Sequence, residues 1–416
     1  MKIEDVLNTL ICGDALAVLK TLPDESVNSV ITSPPYYLLR NYEIKGQIGL
    51  ETTYQEYVKK LIDVFNEIKR VLKKDGTCFV NLADTFAGGG YGIDSNLKNT
   101  KQASNKGTME GCFKIQQLRK ENKQIAAKSL MMIPERFAIA MIENGFILRN
   151  KIVWCKKNSM PESIQDRWKK AHEYIFFFVK SNTTQFWTHS KTKERVDNKP
   201  KGINGMEGVD WEWRDCPNCN APKGETKIIS EQAEEFSSSR NRYHRKCNKK
   251  RCINGKIKRS LWDSHDYYFD LDAIRTPHKE VSIKRAEYEH GRNALGINPS
   301  SMGKKYLDNK RYLGMPARMV KLNKKGACPP DFLEVNTNCS EKDGSPDHYA
   351  SYPLNLIYPL IKAGSKKGDI ILDPFGGSMT TCVAAKQLRR NYIAVDLNPK
   401  YIKIGKRRLV FPEPML

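Results

Sequence analysis

The apolar run Val27-Asn28-Ser29-Val30-Ile31 passes without a spacer into Thr32-Ser33-Pro34-Pro35-Tyr36-Tyr37, and this junction restricts the fold more than any other stretch. Neither proline has an amide to donate and both fix φ, so a strand entering the junction stops pairing at once. The strand end becomes a rigid rim. On it the carbonyls of Ser33 and Pro34 are left to accept hydrogen bonds from a group that is not backbone, with Tyr36 as a flat surface beside them. Acceptors next to a ring suit a planar amine, although a plain edge-strand terminus would use the same residues.

The flanking periodicities supply the scaffold. Asn8–Asp14 reads as a short strand delivering a carboxylate to its end, followed by helical signals over Ala15–Leu22. Apolar residues at Tyr54, Tyr57, Val58, Leu61, Ile62, Phe65, Ile68 and Leu72 recur at three and four, which predicts a helix over Tyr54–Lys74 stopped by Asp75-Gly76. Thr77–Leu82 is the next strand. Strand, helix and strand at this spacing imply right-handed crossovers and a parallel sheet covered on both faces. A helix follows at Pro134–Asn144, then strands at Ile147–Cys155 and His172–Val179, the latter aromatic enough for burial on both sides. Toward the C-terminus come a helix (Tyr352–Ala363), a strand (Asp369–Leu372), a helix (Ser378–Arg389), a strand ending at Asp396 and a closing helix opened by Pro399. Phe86–Glu110, rich in glycine and without period, reads as a rim loop or an insertion.

Between about Ser181 and Gly344 the period vanishes and the composition turns basic, which marks an insertion or second domain. The chain of 416 residues carries a formal charge of +23, more than solubility needs, and so points to a polyanion, nucleic acid first. No long apolar run or lipidation motif favours a membrane, and the N-terminus lacks the blocks of a signal peptide, so a cytoplasmic protein with reduced thiols is expected. Of eleven cysteines, Cys216, Cys219, Cys247 and Cys252 form two paired arms spaced for a tetrahedral structural zinc, with His244 able to replace one and four unrelated thiols as the alternative. Ser239–Arg259 holds ten Lys or Arg and no acid. Its Arg240, Arg242, Arg245, Lys249, Lys250 and Arg251 are candidate phosphate contacts, or simply a solvated basic loop.

In Asp373-Pro374-Phe375-Gly376-Gly377-Ser378 a buried strand ends in an acid and two glycines before a helix, and Asp396 follows about twenty residues after the glycines. Open α/β sheets bind nucleosides outside such strand ends, with a carboxylate at that distance on the ribose. A tight strand-to-helix turn would use the same glycines.

Thr32-Ser33-Pro34-Pro35-Tyr36, Asp373–Ser378 and Tyr392-Ile393-Ala394-Val395-Asp396 resemble the motifs of the exocyclic-amino DNA methyltransferases, which use S-adenosylmethionine. Their order, catalytic motif first and cofactor motif last, resembles the permuted class called beta, and the resemblance covers residues 10 to 180 and 345 to 410. It implies a Rossmann-like α/β fold with a mostly parallel sheet of seven strands. A catalytic part (1–180), a target-recognition insertion with a zinc module (181–345, zinc about 211–259) and a cofactor part (346–416) would follow. Ser33, Pro34, Pro35 and Tyr36 would be catalytic, with Tyr37 and His172 in the base pocket beside a segment containing Arg167 and Trp168; a satisfied core histidine is the alternative for His172. Asp14, Thr32, Tyr352, Pro353, Asp373, Pro374, Phe375, Gly376, Gly377, Ser378, Asp396 and Leu397 would hold the cofactor.

The implied reaction is direct in-line transfer of methyl to the amine of a flipped-out base in double-stranded DNA, and Ser33 as the first motif residue points to N4 of cytosine. Adenine N6 is the near alternative. Methylation of RNA or of a protein amide, and a non-catalytic zinc-stabilised DNA-binding protein, are the distant ones. A cognate restriction endonuclease and a monomer or homodimer complete the expectation.

Overall fold

The computed structural model describes residues 1–39, 41–42, 44–88, 118, 125–159, 164–200, 211–215, 234–237, 242–245, 256–287, 322–337 and 352–410. In chain order the elements are β1 (Thr9–Cys12), α1 (Ala15–Leu19), β2 (Val27–Thr32), α2 (Tyr54–Val71), β3 (Leu72–Leu82), α3 (Ile133–Glu143), β4 (Ile147–Cys155) and β5 (His172–Val179). Next come β6 (Phe186–His189), β7 (Arg195–Val196), β8 (Trp211–Asp215), β9 (Glu234–Ser237), β10 (Arg242–Arg245), β11 (Lys256–Ser260), β12 (Trp262–His265) and α4 (Glu280–Glu287). The last are β13 (Phe332–Glu334), α5 (Leu354–Gly364), β14 (Ile370–Asp373), α6 (Thr380–Gln387), β15 (Asn391–Asp396) and α7 (Pro399–Val410). Two compact units result, one of Met1–Thr183, Asp266–Ile274 and Pro330–Leu416, the other of Thr184–His265 and Arg275–Pro329.

The first unit is built on one sheet in the order β1-β15-β14-β2-β3-β5-β4-β13. Its first five strands run parallel, β5 is antiparallel to both β3 and β4, and β13 is parallel to β4. The sheet therefore has eight strands, one more than the seven expected. The extra strand is β13, three residues in a basic stretch without period, which pairs Phe332 with Val153 and Glu334 with Cys155. Phe176 and Phe178 pack in one apolar cluster with Leu61, Phe65 and Ile68 of α2 and Phe137 of α3, while Phe177 and Val179 join the opposite cluster with Leu356 and Ile361 of α5. Alternate residues of a strand face opposite sides, so this split is the burial on both faces that the aromatic run predicts.

α2 opens with a capping box between Thr53 and Glu56, which satisfies two amides that a helix start leaves unpaired. It stops at Val71 rather than Lys74. Leu72 is already extended (ψ 133°), and Asp75-Gly76 lies within β3, where pairing with β2 shifts register between Val27 and Ser29. A Cβ at Gly76 would lie 3.0 Å from the Asn28 carbonyl and 2.7 Å from the Leu72 side chain, so glycine permits the irregular strand to press against β2.

The crossover from β2 through α2 leads to β3, whereas that from β14 through α6 leads the other way, to β15. β2 and β14 are thus the adjacent central strands from which the chain winds in opposite directions. A crevice at the carboxyl ends of such a pair is where open α/β sheets bind ligands.

In the second unit β12, β6 and β7 form an antiparallel three-stranded sheet, on which Phe186 and His265 stack with centroids 4.8 Å apart. β8, β11, β10 and β9 form a four-stranded antiparallel sheet in the stretch where no period is visible in the sequence. Arg242 and Arg245 lie on β10. Cys216, Cys219, Cys247, Cys252, Arg240, Lys249, Lys250 and Arg251 lie outside the described residues, as does most of Phe86–Glu110. Among the described residues no group of His, Cys, Asp or Glu is arranged to hold a metal, and no helix is long and apolar enough to cross a membrane.

Candidate active site

The central pair of strands is tied by one carboxylate. Asp373, the last residue of β14, is 1% exposed, and four donors converge on it. Thr32 Oγ1 at the end of β2 donates to Oδ1 at 2.7 Å, as does the Phe375 amide at 3.1 Å; Thr381 Oγ1 of α6 donates to Oδ2 at 2.7 Å and Tyr352 Oη at 3.0 Å. Burial pushes this carboxyl up, opposed by the four hydrogen bonds. Burial and the Asp373 charge hold the Tyr352 phenol well above its ordinary range, so it remains a donor. Asp373 and Thr32 thus spend their polar atoms on each other and on the fold. They set the relative height of the two strand ends.

Beyond Thr32 the chain forms the rim. The Pro35 carbonyl accepts from Tyr57 Oη at 2.8 Å, whereas among the described residues no donor reaches the carbonyls of Ser33 or Pro34. Tyr36 is anchored by its hydroxyl, which donates to Glu173 Oε2 at 2.6 Å and accepts from Asn81 Nδ2 at 2.7 Å and from Ser33 Oγ at 3.3 Å. Asn81 Nδ2 also donates to Glu173 Oε2 at 2.8 Å, and Lys156 Nζ ion-pairs with Glu173 Oε1. Burial and the Glu173 charge push the Tyr36 phenol well above its usual range. Asn81 Oδ1 is buried without a partner among the described residues, an acceptor in the same amide that binds this cluster.

On the other side of Asp373, Gly376 and Gly377 carry the loop from β14 to α6. The Gly377 amide donates to Asp396 Oδ2 at 2.7 Å and the Asn398 amide to Oδ1 at 2.7 Å. Gly377 has φ +51°, and a Cβ on Gly376 would meet Met379 Sδ at 2.5 Å, so glycine is favoured at 376 for packing and at 377 for conformation. Met379 itself adopts the left-handed region at φ 63° to begin α6. The buried Arg408 of α7 closes the loop from outside, donating to the Ser378 carbonyl at 2.6 Å. Desolvation raises Asp396 to about 6 against the pull of its two amide bonds. Asp14 caps α1 through the Ala17 amide at 2.9 Å and sits beside the β1–β15 pair, while Leu397 directly follows β15. Pro353 starts α5, directly after Tyr352. Pro374 and Phe375 continue the loop past Asp373, placing Asp14, Thr32, Tyr352–Pro353, Asp373–Ser378 and Asp396–Leu397 along one sheet edge.

Tyr37 and His172, the two residues expected in the base pocket, each have partners within the fold. Tyr37 is 1% exposed, with its ring 5.2 Å from that of Tyr57 and its hydroxyl on the Thr52 carbonyl, so it supports the rim from the core. His172 pairs with the Tyr174 hydroxyl at 3.1 Å. It is the next residue, Glu173, that reaches the rim, because successive residues of β5 face opposite sides. Asn81, Glu173 and Lys156 carry no local motif, and the one available signal was their charge or amide on otherwise apolar strands.

Three comparisons bear on this arrangement. A family model described as DNA methylase, of the N6/N4 type, matches residues 27–407. The type II methyltransferase M.Cfr9I of Citrobacter freundii is 29% identical over 96% of this chain and 87% of its own length, and M.SfiI of Streptomyces fimbriatus is 28% identical over 94% and 89%. Among solved structures, the PvuII DNA methyltransferase (cytosine-N4-specific) aligns over 98% of this chain and 87% of its own, at 15% identity and TM-score 0.49.

Replacing Asp373 with Ala removes the acceptor shared by Thr32, the Phe375 amide, Tyr352 and Thr381, of which Tyr352 and Thr381 still bond each other. The expected cost is about 2–4 kcal/mol, read as a lower denaturation midpoint in the absence of any ligand. A midpoint moved by less than about 1 °C would show that the carboxylate does not hold the two strands.

Proposed function

Because this chain belongs to the N6/N4 DNA methylase family, whose members move methyl from S-adenosylmethionine to an exocyclic amine of DNA, we propose that its target is N4 of cytosine in a nucleotide swung out of the duplex. The observation that carries this reading is the rim: Ser33 Oγ and the carbonyls of Ser33 and Pro34 are acceptors gathered beside the Tyr36 ring, which its hydroxyl bonds hold in place. An exocyclic amine shares its lone pair with the ring and is a weak nucleophile. Hydrogen bonds accepted by the rim favour a pyramidal nitrogen whose lone pair points outward, and preorganised acceptors need no rearrangement as the reaction proceeds. The remaining task is to hold two reactants in line. A stacked base cannot reach this edge, hence the flipped nucleotide. Ser33 at the first motif position supports cytosine N4 over adenine N6.

The residues beyond β14 and β15 fit the cofactor. A half-buried carboxylate at Asp396, two glycines that let backbone approach closely, and the strand-end Asp14 are the donor and acceptor set for ribose and adenine at a switch point. Bound there, S-adenosylmethionine supplies an electrophilic methyl on a sulfonium sulfur. Asp396 would accept from the ribose hydroxyls, and Tyr352 and Pro353 would line the methionine end. Asp373 acts by holding the two rims level.

The second unit is the proposed target-recognition part, with double-stranded DNA as its partner and a cognate endonuclease as the reason for such an enzyme. Structural zinc is proposed on the spacing of Cys216, Cys219, Cys247 and Cys252 in the sequence; among the described residues Asp215 pairs with Lys256, and Arg242 and Tyr243 pair with Arg259 and Lys258, so the last residues of β8 and β10 and the first of β11 share one end of the sheet. Four thiolates there would close a tetrahedral site without an open position, giving the metal a folding role only. The basic residues from Arg240 to Arg251 would contact phosphates, adding affinity without base choice.

Enzymatic digestion of methylated DNA to nucleosides, followed by mass identification, should give N4-methylcytosine; N6-methyladenine alone would assign the other amine, and no methylated base would remove the reading. Metal analysis of the purified chain should find about one zinc per chain, lost in Cys216→Ser; a metal-free protein with an ordered second unit would contradict the zinc site. Because Asp396 takes up a proton near pH 6, cofactor affinity should fall as pH drops below about 6, approaching tenfold per unit, and Asp396→Asn should bind weakly with no such slope. The free fold moves oppositely, since a raised acid contributes stability that is lost as pH rises through 6. Calorimetric titration with S-adenosylmethionine between pH 5 and 8 reads the first effect, and equal affinity at both ends would exclude the Asp396 carboxylate from binding.

A further inference from the structure

The cluster under the rim has a direction. Lys156 and the Asn81 Nδ2 group can only donate, and the Glu173 carboxylate accepts. Tyr36 Oη accepts from Asn81, so its single proton is committed to Glu173 Oε2, 2.6 Å away. Ser33 Oγ gives its proton to Tyr36 Oη, 3.3 Å away, and accepts from Asn81 Nδ2 at 3.5 Å, which leaves it one further lone pair for an amine on the rim. The series ends on a buried carboxylate whose other oxygen is held by Lys156. Nothing in the fold requires this. The Tyr36 ring could be fixed by packing alone, and burying a carboxylate, an amide and an ammonium under a strand end is costly unless they act together.

We propose that Ser33, Tyr36 and Glu173 form a proton relay that carries the surplus proton of the methylated amine to the Glu173 carboxylate, an inference that rests on the amine-methylation reading above. The amine nitrogen forms its bond to the methyl carbon while the sulfur–methyl bond breaks and leaves its electron pair on sulfur. The nitrogen, now positively charged, releases one proton to Ser33 Oγ as the Ser33 proton moves to Tyr36 Oη and the Tyr36 proton to Glu173 Oε2. Neutral methylamine product and neutral Glu173 result, and the carboxyl returns its proton to solvent before the next cycle. Withdrawal of the proton along this line keeps electron density on the nitrogen as the bond forms, which is the contribution of a general base. Because the Tyr36 phenol is held well above its usual range, tyrosine passes a proton on and does not store a negative charge. Asn81 and Lys156 are positioning residues that fix the orientation of the two acceptors.

The test uses the full chain and a duplex substrate on which the wild-type protein transfers methyl to an amine; absence of that transfer would count against the amine reading and not against the relay. Tyr36→Phe keeps the ring and its volume but removes the relay hydroxyl, and Glu173→Gln keeps the shape but cannot take the proton. Each should lower the single-turnover rate by about 100-fold, with calorimetric affinity for S-adenosylmethionine within about twofold of wild type. The double variant should be no slower than the slower single one, because both cut the same path. Single variants at wild-type rate, losses that multiply in the double variant, or a loss of cofactor affinity as large as the loss of rate would each overturn the relay. If Glu173→Gln does not fold, Tyr36→Phe decides alone.

Discussion

The hydrogen bond between Thr32 and Asp373 couples the two strands on which everything else in the first unit depends. It joins the ends of β2 and β14 at 2.7 Å, inside a core where both residues are almost fully buried. A carboxylate there is tolerable because its oxygens meet three hydroxyls and an amide, and the same bonds fix the height of one rim against the other. From this point the chain winds outward in both directions, and the crevice at the strand ends follows from the topology. One rim carries acceptors and a ring, the other carries glycines and a half-buried acid.

Much of this was legible because long apolar periods survive in the sequence. The α2 stripe, the β4 and β5 boundaries and the strands that lead to Thr32, Asp373 and Asp396 follow from spacing alone, and the prolines and glycines mark where strands must stop. What was hidden depends on distance. Glu173 is separated from Tyr36 by 137 residues, and only the antiparallel pairing of β5 with β3 brings it beneath the rim, while His172 next to it faces away. Asp373 reads as a ligand contact by position, yet in the fold its acceptor sites are filled by the protein. β13 is too short to show a period, and the Asp75-Gly76 pair that reads as a helix stop is an irregularity inside β3. Tyr37 adjoins the motif, and its burial against Tyr57 could not be read from that position.

The first unit spends its buried charges in pairs and capped acids: Glu173 with Lys156, Asp373 with four donors, and Asp84 on the amides that begin α3. The surplus of Lys and Arg, 70 against 47 acids, supplies sequence-independent attraction to a polyanion. Such attraction suits the DNA on which the family acts.

The most direct measurement is a crystal structure of the chain with S-adenosylhomocysteine bound. The account predicts the ribose hydroxyls on the Asp396 carboxylate, the adenine near Asp14, and the sulfur facing the carbonyls of Ser33 and Pro34 across the β2–β14 edge. A ligand seated away from that edge, or with its sulfur turned from Ser33 so that no methyl could lie in line with an amine on the rim, would contradict it.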